Sequence, residues 1–280
     1  MARGGRVAAA RVILGLTPAV IAAFLALGAT GGLLAGMLGV GGGMVLVPFT
    51  TLLLVRIGVA SDLTLKMALA TSLATILFTA VSSVRAHHTR GAVRWDLVAR
   101  LAPGIAVGAL LGAQLTRFLP SGALHVVFAV FLFFAATQMI LGLKPKSARA
   151  LPGTAGLAAV GATIGSVSAV VGAGGAFMSV PFMSWCNVAM HHAVGTASAL
   201  GLPIAAAGTV GYMIAGLSQP GLPPGSLGFV HMPALVALAT ASVLTAPAGA
   251  WLAHRMNVAQ LRRVFALLLY LVGALMLYRA

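Results

Sequence analysis

Two glycine-rich interruptions are where this sequence concentrates its capacity for chemistry. The first, Gly39-Val-Gly-Gly-Gly43, contains Gly41, Gly42 and Gly43; the second, Gly172-Ala-Gly-Gly175, contains Gly174 and Gly175. A chain can unwind there without a side-chain clash. A half-helix starting after each break would direct free N–H groups and the positive end of its dipole at the break, an arrangement that suits an anion. The alternative is that these glycines only let helices pack closely, as small residues do in membranes. Hydroxyls come next. Thr71 and Ser72 lie in the run ALATSLAT, and Thr196 and Ser198 in AVGTASAL. They can donate to an oxyanion, or equally bond back to their own helix carbonyls. Lys66 opens the first of these runs and His191-His192 the second. A cation at each mouth would attract anions, and a histidine can take up a proton near neutral pH. The competing role is an interfacial side chain that snorkels to the headgroups.

Other chemistries find little support. No cysteine or histidine–carboxylate group has metal-ligand spacing, so no metal site is expected. His87-His88 sits in an arginine-rich stretch and reads as solvated. Cys186 is the single cysteine, which rules out a disulfide framework and reads as a small buried residue. There is no phosphate-binding P-loop, so ATP is not a direct energy source. Nucleophile–base pairs are absent too, and the chain is expected to be neither an enzyme nor a carrier of a cofactor.

The elements that must hold these residues follow from composition. Of 280 residues, 60% are hydrophobic and 7% charged, with Asp62 and Asp96 the only acids. Soluble domains are roughly 45–50% apolar and ~25% charged, so this composition belongs to an all-α integral membrane protein. The formal net charge is +15, but the basic residues fall between apolar blocks, which is membrane topology rather than nucleic-acid binding. About 20 apolar residues cross a bilayer. Spans are therefore expected near 12–36, 66–84, 97–118 and 122–142, with a short piece at 44–55. A second set lies near 155–171, 192–216, 231–253 and 261–278, with a short piece at 176–187. The short pieces, each carrying a proline, read as half-spans, re-entrant segments or steep crossings. Trp95, Trp185 and Trp251 fall near span ends, as interfacial anchors do. Arg3, Arg6 and Arg11 precede the first apolar run in the manner of a signal peptide, but the run is read as a retained helix.

The two sets are copies. GATGGLLAGMLGVGGGMVLVPF (28–49) and GATIGSVSAVVGAGGAFMSVPF (161–182) share ten identities without a gap. Gly112-Ala113 then aligns with Gly249-Ala250, Val127-Phe128-Ala129 with Val264-Phe265-Ala266, and Thr71 with Thr196. The chain accordingly divides into a first transmembrane repeat, 1–150, and a second, 151–280, each with about four to five transmembrane segments. Corresponding loops carry opposite charge. Residues 85–100 hold four arginines against one acid, whereas 217–230 hold none; 117–122 hold only Arg117, whereas 254–263 hold Arg255, Arg262 and Arg263. Because lysine and arginine stay cytoplasmic, the copies are expected to be inverted, with 85–100, 143–151 and 254–263 inside. The arginines before residue 12 would then lie outside, against the rule.

The block from Gly41 to Pro48, repeated from Gly174 to Pro181, resembles the signature of the TauE/SafE sulfite exporter family. RAHHTRGAVRW and PGIAVGALLGAQL are similar to that family's later blocks. Ala176 departs from the glycine triplet, which makes the second break less open. The resemblance implies a multi-pass transporter of the bacterial inner membrane whose partners are the lipid bilayer and a small anion such as sulfite or a sulfonate. Homo-oligomers are left open. An anion leaving an inside-negative cell needs no carboxylate as proton carrier, so voltage-driven export is expected, with His191 and His192 as the proton-coupling groups if coupling exists. Alternatives are an uptake permease for a sulfur compound or other small anion, or a non-transporting membrane scaffold.

Overall fold

The computed structural model describes residues 17–38, 42–141, 150–253 and 258–278. The first half contributes α1 (Pro18–Leu38), α2 (Gly43–Arg56), α3 (Ser61–His88), α4 (Trp95–Leu115) and α5 (Ser121–Leu141). The second contributes α6 (Thr154–Val170), α7 (Ala176–Trp185), α8 (Met190–Gly216), α9 (Met232–Ala253) and α10 (Val258–Tyr278). Between α8 and α9 lies a small antiparallel hairpin, β1 (Ser226–Leu227) and β2 (Val230–His231), which sequence periodicity did not suggest. Among the described residues, six helices are long and apolar enough to cross a membrane. The protein is an all-α multi-pass membrane protein.

Helix lengths separate the options left open for the short pieces. With a rise of 1.5 Å per residue, the 14 residues of α2 span ~21 Å and the 10 of α7 ~15 Å, short of a hydrocarbon core of ~30 Å. Both are shorter than a full crossing. Each begins at a glycine with left-handed backbone, Gly42 at φ 62° and Gly175 at φ 75°. These glycines occupy equivalent positions of the 22-residue repeat, so the register read from identity is also the register of the backbone.

The core pair is α3 and α8, the two most buried of the six spans. Gly201 faces Ala80 and Gly208 faces Leu73, so the two helices run antiparallel. Around them the halves interlock. Cβ atoms added at Gly104, Gly108 and Gly112 of α4 would strike the carbonyl oxygens of Ala158, Ala162 and Ser166 of α6, a parallel contact of backbone on backbone. The counterpart is α1 on α9, where Gly28 and Gly32 meet the carbonyls of Leu238 and Ser242. Small residues make this approach possible, and dispersion with short hydrogen bonds takes over from hydrophobicity as the binding force in lipid. Ser166 Oγ donates to Gly108 O at 3.0 Å and Thr245 Oγ1 to Ala29 O at 2.8 Å, one bond in each seam. Helices α5 and α10 close the ring antiparallel, with Phe133 against Gly273 and Thr137 Oγ1 2.6 Å from Tyr270 Oη.

These contacts fix the sense of every long helix. The start of α3, the end of α4 and the start of α5 share one side, where Ser121 Oγ donates to Asp62 O and Lys66 Nζ to Arg117 O. The end of α3 and the starts of α4 and α8 share the other, where His192 Nδ1 lies 3.2 Å from Ala92 O. Consequently α1 and α6, α3 and α8, and α4 and α9 run in opposite senses, and α2 and α7 carry the chain back. Residues 1–16, including Arg3, Arg6 and Arg11, lie outside the described residues, as do Lys144, Lys146, Arg149 and Arg255.

Candidate functional site

The two breaks meet. A Cβ on Gly43 would strike the carbonyl oxygen of Gly172 and come within 2.8 Å of Ile76 Cδ1. Gly172, itself left-handed at φ 61°, sits against Val47 and Leu69. Nothing larger than hydrogen fits between these backbones. Gly42 abuts Gly31 and Ala35 of α1; Gly175 abuts Ile204, with Ser168 Oγ at 3.2 Å from its Cβ position. Gly174 O lies 3.6 Å from the Cβ position of Gly201. The α3 segment from Leu69 to Ile76 therefore passes over the meeting point. Neither half-helix has a side-chain N-cap, so the first-turn N–H groups of α2 and α7 start from bare glycine. Gly41 lies outside the described residues.

The hydroxyls divide into two kinds. Thr71 and Thr196 are fully buried, and each accepts a backbone N–H from the residue just before the fourth helix of the other half. Thr196 Oγ1 takes the N–H of Arg94 at 3.0 Å, and Thr71 Oγ1 that of His231 at 3.1 Å. Ser198 Oγ donates back to Val194 O at 3.1 Å, the local bond that helical serines commonly make. Ser72 is fully buried and its Oγ has no hydrogen-bond partner among the described residues.

The basic residues stand apart from the breaks. Lys66 is half-buried near one end of α3, its Nζ donating to Arg117 O at 3.4 Å. His191 is exposed and stacks obliquely on His192 with centroids 4.0 Å apart, at the first turn of α8. Since α3 and α8 are antiparallel, the lysine and the histidine pair occupy opposite faces of the molecule. The structure thus sets Gly43 against Gly172 beside the Leu69–Ile76 segment that contains Thr71 and Ser72, with Gly42, Gly174 and Gly175 in the flanking turns, and leaves Lys66, His191 and His192 at opposite faces of the molecule.

Two further groups were not legible in the sequence. Ser168 occupies the repeat position of Ala35, and both press on the left-handed glycine of their own half. His231 is fully buried at the end of β2, and burial pushes its imidazole down to about 4. Among the described residues, no three His, Cys, Asp or Glu side chains are grouped to hold a metal ion. A groove of 440 Å³ between α1 and α2 is lined by apolar residues and Arg56, with none of the break residues in its wall.

Residues 24–276 match the family model described as sulfite exporter TauE/SafE. A probable membrane transporter protein of Haemophilus influenzae is 32% identical over 254 residues, covering 89% of this chain and 95% of that protein. The probable membrane transporter protein YdhB of Bacillus subtilis is 29% identical over 192 residues, 66% of this chain and 76% of YdhB. No solved structure matches the chain.

Proposed function

We propose, from the premise that this chain belongs to the sulfite exporter TauE/SafE family, that it exports sulfite or a related organosulfonate from the cytoplasm across the bacterial inner membrane. The observation that carries this reading is the abutment of the two breaks, Gly43 on Gly172, beneath the Leu69–Ile76 segment of α3. Irregular backbone at membrane depth is tolerated where it is buried in protein or lines a cavity, and transporters bind substrate where such breaks from two repeats converge. Uncapped half-helix starts favour an anion as the guest.

In this reading the halves are inverted repeats that rock about the crossing of α3 and α8. The opposite senses of corresponding helices support it. So does charge placement: Arg85, Arg90 and Arg94 lie on the side toward which α5 and α9 run, and lysine and arginine are held on the cytoplasmic side. Export is voltage-driven. Both acids lie in the first turn of a helix, so neither is placed at midspan to carry a proton. The membrane potential supplies ~2.3 kcal/mol per charge per 100 mV. For a dianion that is ~4.6 kcal/mol, a concentration ratio of about three decades.

The test is efflux of sulfite from proteoliposomes holding the purified protein, with a potassium diffusion potential set by valinomycin. Efflux should accelerate when the inside is made negative and be competed by organosulfonates. Flux that survives collapse of the potential but requires a pH gradient would replace voltage drive with proton coupling. Absence of protein-dependent flux at any potential would favour the scaffold reading.

A further inference from the structure

Around the bond that joins β2 to Thr71, three buried side-chain atoms have no hydrogen-bond partner among the described residues: Nε2 of His231, Oγ of Ser226, its partner in the hairpin, and Oγ of Ser72, the residue after Thr71 on α3. Their surroundings explain why each is held in place yet left unused. The Nδ1 of His231 accepts the N–H of Ala234 at 3.3 Å, capping the first turn of α9. A neutral ring with Nδ1 as acceptor carries its proton on Nε2. The backbone N–H of His231 is anchored on Thr71 Oγ1. Backbone and Nδ1 are both committed, and the single remaining polar function of the residue is one donor. Ser72 follows Thr71 on α3, inside the segment that crosses the glycine breaks, and contributes a second donor. Buried donors are nearly always satisfied, so the donors left over beside the Thr71–His231 bond call for an acceptor.

Resting on the reading that an oxyanion passes this point, the geometry points to a buried oxyanion subsite in which His231 Nε2–H and the Ser72 hydroxyl donate to the same guest. The repeat-related position shows what is distinctive here. Arg94 makes the same backbone bond to Thr196, but its side chain is on the surface, paired with Asp96 at 2.6 Å. One end of the molecule thus carries an exposed cation and the other a buried neutral donor. Burial keeps the His231 ring uncharged. A neutral donor holds an anion without trapping it on a fixed positive charge, as a site that must also release its guest requires.

Two substitutions at residue 231 separate this role from capping. His231→Asn keeps an acceptor near Nδ1 for Ala234 and keeps the backbone bond to Thr71, but removes the distal donor. His231→Gln places an amide N–H near the position of Nε2 and gives up the cap. Sulfite efflux from proteoliposomes and sulfite-induced thermal stabilisation of the detergent-purified protein are measured for both, together with Ser72→Ala. The subsite requires the KM of His231→Asn to rise about tenfold or more, as loss of a hydrogen bond to a charged partner does, with His231→Gln nearer to wild type. Ser72→Ala should raise KM while leaving the unliganded melting temperature equal or higher, since it removes an unsatisfied buried hydroxyl. If His231→Asn matches wild type and His231→Gln is the damaged variant, the ring is only a cap and the subsite is overturned. An unchanged KM in Ser72→Ala overturns it as well, even if His231→Asn fails to fold. Wild-type protein that neither moves nor is stabilised by sulfite overturns the transport reading first, and the subsite with it.

Discussion

Thr196 and Arg94, 102 positions apart, are joined by a hydrogen bond from the arginine's backbone N–H to the threonine hydroxyl. Thr71 and His231, 160 positions apart, are joined in the same way. Each threonine sits in the third helix of its half and holds the entry to the fourth helix of the other. Replacing either by valine keeps the shape but leaves a buried N–H without an acceptor, at a cost of about 1–3 kcal/mol. Both Thr71→Val and Thr196→Val should therefore melt at a lower temperature than wild type in detergent. Serine at either position should recover most of the loss.

Gly42 and Gly175 begin the half-helices with left-handed backbone. Alanine in that conformation costs roughly 1–2 kcal/mol. At Gly42 a Cβ would also come within 2.8 Å of Gly31 O. Both Gly42→Ala and Gly175→Ala are expected to lower the sulfite flux per folded molecule, because the substitutions strain the starts of α2 and α7. Flux equal to wild type in both variants would mean that the breaks serve packing alone.

The seam between α4 and α6 leaves no room for a side chain. Gly108→Val must push the helices apart, and little folded protein should be recovered from detergent by size-exclusion chromatography. Gly153 gives the contrasting case. Nothing lies within 4 Å of its Cβ position, and as the N-cap of α6 it has extended backbone at φ −61°, ψ 172°. Gly153→Ser supplies the missing cap oxygen and should raise stability by a few tenths of a kcal/mol.

Burial of His231 makes the protein sensitive to mild acid. Its folded value, about 4, lies below the ordinary 6.5. As pH falls below 6.5 the unfolded chain takes the proton first, so the stabilising contribution is complete above that pH and is lost between 6.5 and 4. The contribution at stake is about 3 kcal/mol. Melting curves at pH 7 and pH 4.5 should differ more for wild type than for His231→Asn.

The breaks were legible because glycine, proline and their spacing are local signals, and the duplication doubled each of them. Helix ends were less clear: α3 begins at Ser61, several residues before its expected start, because Asp62 suits a first turn that a hydropathy window rejects. The roles of Thr71 and His231 could not be read at all. GLPPGSLGFVH (221–231) has the composition of an ordinary loop, and the hairpin dips into the protein through contacts with α3 and α8 that no local pattern encodes. Phe229 packs on Tyr212 at 6.4 Å, and its N–H reaches Tyr212 O.

The bond from Thr245 to Ala29 closes a gap of 216 positions, between α1 and α9. At 5–20 residues per second, ribosomes need about 10 to 40 s to supply the partner of α1. Through that interval the glycine face of α1 must rest against lipid or against the insertion machinery. Because α1 packs on α9 and α6 on α4, each half is expected to need the other to fold. Co-expressed fragments 1–150 and 151–280 should accordingly be recovered together or not at all, and a premature stop before α9 should send the whole nascent chain to quality control.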